Sequence, residues 1–164
     1  MAEHQIEMTY DDLSKLTSEV TSEQGPGEAT KAFNQRMVED FRSNKGVPPG
    51  EFADAPILLI TMTRARSGKT RTVPLGYARV DGRLVVIASR GGSPDNPVWY
   101  DDIVTNDEVV VELGGETFAA RPVVLEGVDR DQAFAGACET LEFMAGYQKL
   151  TTRVLPVVEL VPVG

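Results

Sequence analysis

Histidine and cysteine are nearly absent from this chain of 164 residues, which contains one of each, His4 and Cys138. A single cysteine excludes an intramolecular disulfide and is typical of a reducing compartment. We expect Cys138 to pack on the apolar face of a helix. Because the one histidine lies in a polar N-terminal arm, the sequence predicts neither a His/Cys metal cluster nor a Ser–His nucleophilic pair.

Long apolar runs are also missing. The longest, residues 57–60, has the length of a strand, whereas a membrane span needs about 18–20 apolar residues. The N-terminus lacks the basic-then-apolar pattern of a signal peptide. A net charge of −9 argues against general nucleic-acid binding. We therefore expect a cytoplasmic protein with neither a membrane nor a nucleic acid as partner.

Positive charge is scarce except in one stretch. Residues 61–90 contain seven Arg or Lys and one acidic residue, a net charge of +6, whereas the rest of the chain has nine basic and 24 acidic residues, a net charge of −15. An acidic protein that concentrates its cations in this way is predicted to bind an anionic ligand there. The alternative is a solvated basic loop.

The chain is long enough for one domain with a full core. Residues 1–25 form an acidic extension, and residues 26–164 are the predicted domain. A short helix capped by Thr9 is expected within the extension. The i, i+4, i+8 spacing of Phe33, Met37 and Phe41 predicts a helix at about 28–44.

Strand patterns dominate from residue 56 onward. Asp81-Gly82 and Gly114-Gly115 are hairpin signals. A late helix is expected at about 130–145, with Asp129 and Gln132 as a capping box and Gly146 at its end. The predicted strands cover residues 56–62, 71–80, 83–89, 108–113, 116–125 and 153–162. The fold class is therefore α+β, an antiparallel barrel of about six strands with three or four peripheral helices, rather than a βαβ fold.

The segment Ser67-Gly68-Lys69-Thr70 has the end of a P-loop pattern, but Thr63 stands where the first glycine should be. It also leads into a strand, and a P-loop leads into a helix. The surrounding loop, residues 64–71, still offers guanidinium, ammonium, hydroxyl and backbone N–H donors, which match phosphate or carboxylate oxygens.

A second segment follows at residues 88–100. Gly91-Gly92 lets backbone approach a ligand closely. Asn96 is a favoured N-cap and Pro97 a favoured first helical residue, so a short helix is expected to begin there. Trp99 either stacks on a bound ring or packs in the core.

These segments resemble the signatures of the deazaflavin-dependent nitroreductase family, the Ddn-like reductases of actinobacteria that use coenzyme F-420. The family pattern is Gly-Arg-(Lys/Arg)-(Ser/Thr)-Gly-x-x-Arg-x-x-Pro-Leu, then Ala-Ser-(Lys/Arg)-Gly-Gly, then Pro-x-Trp-Tyr-x-Asn-Leu. Residues 64–75, 88–92 and 97–103 match these motifs in order, and the resemblance spans about 33–162. There are two departures: Arg64-Ala65 replaces Gly-Arg, and Asp102 replaces the Asn.

The resemblance implies a split β-barrel with reduced deazaflavin as hydride donor. It implies that the first loop and Ser89-Arg90 bind the phosphate and lactyl-oligoglutamate tail, and that residues 72–76 and 98–102 line the ring and linker. Because of the departures, we expect one tail contact to be lost or moved. The implied cofactor-binding residues are Arg64, Arg66, Ser67, Gly68, Lys69, Arg71, Thr72, Val73, Pro74, Leu75, Gly76, Ile87, Ala88, Ser89, Arg90, Gly91, Val98, Trp99, Tyr100, Asp101 and Asp102.

By the same resemblance, Tyr147 is the candidate catalytic residue, placed beside the open face of the ring to orient or protonate the acceptor. The alternative is that it only packs a helix end. The expected activity is hydride transfer to a small electron-poor acceptor, such as a conjugated lactone or enone, a quinone or a nitroheterocycle. Two alternatives remain open: an FMN-dependent oxidoreductase on the same barrel, and a non-catalytic deazaflavin-binding protein. A homodimer is a further expectation, because exposed barrel edges often pair.

Overall fold

A computed structural model describes residues 28–48, 50 and 53–163. The expected helix within residues 1–24 lies outside the described residues. The described helices are α1 (Glu28–Ser43), α2 (Val98–Ile103), α3 (Gly127–Thr140) and α4 (Phe143–Lys149), with a 3₁₀ turn at Arg90–Gly92. The described strands are β1 (Ile57–Thr63), β2 (Thr70–Gly76), β3 (Ala78–Val80), β4 (Arg83–Ile87), β5 (Val109–Leu113), β6 (Glu116–Val124) and β7 (Val157–Pro162).

The seven strands form one antiparallel sheet in the order β2-β1-β5-β6-β7-β4-β3. The sheet is curled, so β2 and β4 approach each other although they are not paired. This curled sheet with its helices confirms the predicted α+β class and is consistent with a split barrel.

Both predicted hairpins are present. Val80 pairs with Arg83 around Asp81-Gly82, and Leu113 pairs with Glu116 around Gly114-Gly115. All four turn residues have positive φ, between 51° and 86°, as a two-residue turn that matches strand twist requires. Both hairpins are therefore predicted by the two turn residues alone.

One face of the sheet packs against the main core, and Trp99 belongs to this core with 4% exposure. Because side chains alternate along a strand, Val86 and Val158 face this core while Val85 and Val157 face a second one. α3 and α4 cover that second core, and Cys138 packs against it as expected.

Helix α1 lies against the sheet through the predicted stripe. Met37 and Phe41 are 3% and 1% exposed, and Phe33 packs beside Met37 and Ile57. At its end, Arg42 donates to both carboxylate oxygens of Glu112 on β5, at 2.9 and 2.7 Å. This bidentate pair connects α1 to the sheet. The hydrogen bond to Glu112 also raises the pKa of Arg42.

Two strand predictions need correction. The strand expected over 71–80 is divided at Tyr77, whose N–H donates to the carbonyl of Pro56 at 2.9 Å instead of joining a ladder. The last strand begins at Val157 rather than 153, because residues 153–155 bond to loop and helix groups instead.

The helix expected at 130–145 is two helices, and its predicted ends are wrong. The chain bends at Leu141 (φ −108°, ψ 74°), whose side chain is 1% exposed. Glu126 is the N-cap and makes no side-chain cap bond, so Asp129 and Gln132 form no capping box there. Gly146 lies inside α4 and does not end a helix.

Within the described residues, no helix has the length and apolar character needed to cross a membrane.

Candidate functional site

The basic loop, residues 64–71, is a closed turn between β1 and β2. The Arg64 N–H donates to the Lys69 carbonyl at 2.8 Å, and the Gly68 N–H donates to the Arg64 carbonyl at 3.0 Å. Gly68 has a φ of +72°, which glycine adopts without steric cost. Because the loop's backbone is closed on itself, the side chains of Arg66, Ser67 and Lys69 are left exposed to solvent.

Arg71 is the buried cation of this loop. Its side chain is 13% exposed, and its Nη1 lies 3.7 Å from Oδ2 of Asp102. Nη1 is buried and donates no hydrogen bond. Burial lowers the pKa of Arg71, neighbouring Arg64 lowers it further, and Asp102 raises it. Oδ2 of Asp102 is likewise buried without a hydrogen bond, so the two groups form a long ion pair and leave Nη1 without a hydrogen-bond acceptor.

Asp102, on α2, holds the basic loop in place. Its side chain is 7% exposed. Oδ1 accepts a hydrogen bond from the Ala65 N–H at 3.0 Å, and Oδ2 lies 3.8 Å from Nε of Arg64. The carboxylate that replaces the family's Asn is thus a partner of the loop itself.

Asn106 was not expected to contribute. Its Oδ1 accepts from the Thr63 N–H at 2.9 Å, and its Nδ2 donates to the Thr63 carbonyl at 2.9 Å and to the Asp102 carbonyl at 2.7 Å. It therefore clips the end of β1 to the end of α2. Thr63, its partner on β1, is 43 residues away, so no local pattern indicates this role.

The second segment forms the 3₁₀ turn Arg90–Gly92, and all three residues have positive φ. Arg90 is held by an ion pair, its Nη1 lying 3.8 Å from Oδ2 of Asp95. Asn96 does not cap α2, because the N-cap is Pro97 and the helix begins at Val98.

Arg153 organises this segment and was also missed. It donates to the carbonyl oxygens of Ala88 (3.2 Å), Ser89 (2.8 Å) and Ser93 (2.9 Å), and to Oδ1 of Asn96 (2.7 Å). Burial is the main cause that lowers the pKa of Arg153. A lone arginine before a strand carries no sequence signal for such a role.

The predicted ring-lining residues lie on β2 and α2. Val73, Pro74 and Leu75 are buried, and the side chains of Val73 and Leu75 pack in the main core. β2 is an edge strand, hydrogen-bonded on one side to β1. Tyr100 is half-buried beside Trp99, at a ring centroid distance of 6.3 Å, and burial raises its pKa.

Tyr147 lies in α4 rather than after a helix. It is 5% exposed within the second core, and its ring packs edge-on against Phe143 at 5.4 Å. Its backbone lies against Gly92, where a Cβ would come within 2.6 Å of the Tyr147 carbonyl oxygen. The structure thus brings Tyr147 to the second segment and not to the basic loop.

A cleft of about 470 Å³ is lined by residues of α1, the basic loop and β2. Its lining carries four cations and one acid, and Arg71 is at one side. The lining residues are Asn34, Gln35, Val38, Glu39, Arg42, Arg64, Lys69, Thr70, Arg71 and Thr72. The excess of cations, and an Nη1 of Arg71 that donates no hydrogen bond, fit an anionic group such as the phosphate or carboxylates of coenzyme F-420. Among the described residues, no group of three or more His, Cys, Asp or Glu could hold a metal ion.

The chain is similar to proteins of one named family. Residues 33–162 match the family of the F420H(2)-dependent quinone reductase. An F420H(2)-dependent quinone reductase of Mycobacterium tuberculosis (strain H37Rv) is 33% identical over 108 residues, which cover 64% of this chain and 72% of that protein.

Two solved structures are also similar. An F420-H2 dependent reductase, FDR-A, is 37% identical with a TM-score of 0.59, over 64% of this chain and 93% of that one. A domain-swapped dimer shows the same identity and TM-score, over 64% of this chain and 79% of that one. With most of its length inside the family match, the chain belongs to the F420H(2)-dependent quinone reductase family and is an oxidoreductase whose cofactor is reduced coenzyme F-420.

Proposed function

We propose that this protein reduces small electron-poor molecules, namely quinones, conjugated lactones or enones, and nitroheterocycles, with its basic loop holding the anionic part of the cofactor. The observation that carries the proposal is Arg71, a buried guanidinium with one long ion pair and an Nη1 that donates no hydrogen bond. An anion bound at Nη1 supplies the missing hydrogen-bond acceptor. It also balances the positive charge of Arg71, because the negative charge of Asp102 is divided between Arg71 and Arg64.

The cationic side chains of the basic loop have different roles according to their position. Arg66 and Lys69 are exposed at the tip of the loop, where they attract anionic groups from solvent, and Arg71 binds at the inner end. Ser89, Arg90 and Gly91 contribute from the turn that Arg153 stabilises. The outer edge of β2 presents backbone N–H and C=O groups that a planar polar ring can bond.

When bound, the reduced deazaflavin supplies a hydride from carbon 5 of its ring. The protein holds the ring against the barrel wall and leaves one face open to the acceptor. The proton comes from water or from the hydroxyl of Tyr147. No buried histidine or carboxylate pair is needed, which agrees with a sequence whose one histidine lies in the N-terminal arm.

Two further parts of the proposal concern the setting. The unpaired Cys138 and the acidic composition support a cytoplasmic location. The similarity to a domain-swapped dimer supports a homodimer.

Replacing Arg71 by Ala tests the proposal. We expect cofactor binding to weaken by about 1.5–3 kcal/mol, the range for losing a hydrogen bond to a charged group. Turnover at saturating cofactor should change less, because this contact is made equally in the ground and transition states. Calorimetric titration of coenzyme F-420 and of FMN, followed by steady-state kinetics with the three acceptor classes, provides the measurement.

Arg121→Ala is the matched control, because Arg121 is exposed on β6. Unchanged affinity of the Arg71→Ala variant for coenzyme F-420 would mean that the basic loop is only a solvated turn. Tighter binding of FMN than of coenzyme F-420 by the wild type would contradict the choice of cofactor.

A further inference from the structure

Asn34 on α1 is a buried amide without an explanation inside the chain. The residue is 9% exposed. Its Oδ1 is buried and has no hydrogen-bond partner. A buried polar atom left unpaired costs free energy, so in native proteins such atoms usually have a partner or a role.

Several polar side chains that line the cleft beside α1 do have partners. Gln35 donates to Glu39 at 3.3 Å, Arg42 donates to Glu112, and Thr72 shares a hydrogen bond with Thr61 at 2.7 Å. Asn34 lines the same cleft as these residues. The unpaired Oδ1 of Asn34 therefore does not follow from a shortage of polar groups in this region.

The same cleft contains a second atom in the same condition, Nη1 of Arg71. One is an amide oxygen that needs a donor, and the other is a guanidinium nitrogen that needs an acceptor. A single ligand with a neutral donor beside an anionic group satisfies both. Nη1 has only its long ion pair, at 3.7 Å, with Oδ2 of Asp102, which is also buried without a hydrogen bond. Two groups of opposite hydrogen-bonding sense on one cleft fit a polar ligand better than an apolar one.

The size of the cleft indicates an extended ligand. Its volume of about 470 Å³ equals roughly fifteen water molecules at about 30 Å³ each, which is far more than one phosphate group occupies. Four cations line it, Arg42, Arg64, Lys69 and Arg71. A chain that bears several anionic groups joined by neutral amide links matches this pattern.

We propose that Asn34 is a ligand-binding residue of this cleft, whose amide pairs with an amide link of an acidic, peptide-like chain while Arg71 binds a neighbouring anionic group. The inference rests on the proposed function, in which that chain is the oligoglutamate tail of the cofactor. It adds α1 to the binding site, which the sequence motifs place on β2, α2 and the two loops.

The decisive variant is Asn34→Leu, which keeps the side-chain size and removes the amide. We expect its affinity for coenzyme F-420 to fall about three- to tenfold, the loss of one neutral hydrogen bond. We expect its Tm without ligand to stay equal or to rise, because an unpaired buried amide is removed. A residue with a purely structural role cannot give this pair of opposite changes.

Asn34→Asp is the second variant, because it keeps the shape and adds a negative charge. It should weaken binding of the anionic tail more than Asn34→Leu does. Gln132→Leu is the matched control, since Gln132 is an exposed amide on α3, and it should change neither affinity nor Tm. Titrations use coenzyme F-420 and, as a second probe, the deazaflavin riboside without phosphate or tail, which should bind both Asn34 variants as it binds wild type.

The outcomes separate the two proposals. If the wild type does not bind coenzyme F-420, the proposed function fails. If the wild type binds it and Asn34→Leu binds equally well, the inference about Asn34 is overturned while the function stands. A weaker Asn34→Leu variant with a lowered Tm, or with the same loss for the tail-less riboside, also overturns the inference.

Discussion

At the scale of single residues, the site depends on how Asp102 and Arg71 share charge. Asp102 lies 3.7 Å from Arg71 and 3.8 Å from Arg64, and it accepts a hydrogen bond from the Ala65 N–H. The carboxylate therefore both positions the basic loop and reduces the positive charge that a ligand meets. These two effects of Asp102 act in opposite directions on binding.

Asp102→Asn separates these effects, because an amide oxygen can still accept from the Ala65 N–H. We expect binding of coenzyme F-420 to tighten about three- to tenfold at low salt, since Arg64 and Arg71 lose their shared counter-ion. The gain should shrink in high salt. The free protein should lose about 1–2 kcal/mol of stability, because a mostly buried cation is left unpaired.

Titrations at two salt concentrations and urea denaturation measure these changes. Asp102→Ala is the control, since it removes the hydrogen bond as well as the charge. Weaker binding in Asp102→Asn would mean that the charge of Asp102 is needed to shape the loop.

Tyr147→Phe tests the candidate proton donor. The side chain is 5% exposed and its backbone lies against Gly92. We expect cofactor affinity near that of the wild type and acceptor reduction lowered roughly ten- to a hundredfold, because only the hydroxyl is removed. Steady-state kinetics measure the change. Equal turnover, together with a lowered Tm for Tyr147→Ala, would assign Tyr147 to packing alone.

At the scale of elements, the approach of α4 to the 3₁₀ turn Arg90–Gly92 fixes the second segment. Gly92 has a φ of +81°, and a Cβ there would lie 2.6 Å from the Tyr147 carbonyl oxygen and 3.0 Å from Cβ of Leu150. Glycine is required at this position by both conformation and space.

Gly92→Ala should therefore destabilise the protein by about 2–4 kcal/mol, the combined effect of positive φ and a backbone collision. Gly114→Ala is the matched control: its φ is +59°, and its Cβ would meet nothing within 4 Å. It should cost about 1–2 kcal/mol, from the conformation alone. Denaturant unfolding of both variants measures the difference in the free energy of unfolding. Equal losses of stability would show that α4 shifts at little energetic cost to accommodate the new Cβ.

At the scale of the whole molecule, the edges of the sheet bear on assembly. The sheet ends in two edge strands, β2 and β3, and exposed edges favour pairing with another chain. A similar solved structure is a domain-swapped dimer. We expect light scattering after size exclusion to give about twice the monomer mass of 17.8 kDa. A monomer mass that persists as the protein concentration is raised would contradict the homodimer.

Local patterns in the sequence were sufficient for the features that depend on nearby residues. The two hairpins follow from Asp81-Gly82 and Gly114-Gly115, because positive φ at both positions is a property of the turn itself. The helix at 28–43 follows from the spacing of Phe33, Met37 and Phe41. The basic loop follows from the charge pattern, and the family follows from three short motifs in order.

Tertiary structure decided what depends on residues far apart in the chain. The late helix is divided at Leu141, which is 1% exposed between α3 and α4, and periodicity along the chain does not reveal this bend. Asn106 and Arg153 hold the two loops through partners that are 43 and about 60 residues away. The unpaired amide of Asn34 becomes visible only when α1 lies beside β2. Sequence by itself determined which residues carry charge and where the chain turns. Tertiary packing decided which of those groups are buried, paired or left for a ligand. Burial and pairing depend on neighbours that only folding brings together.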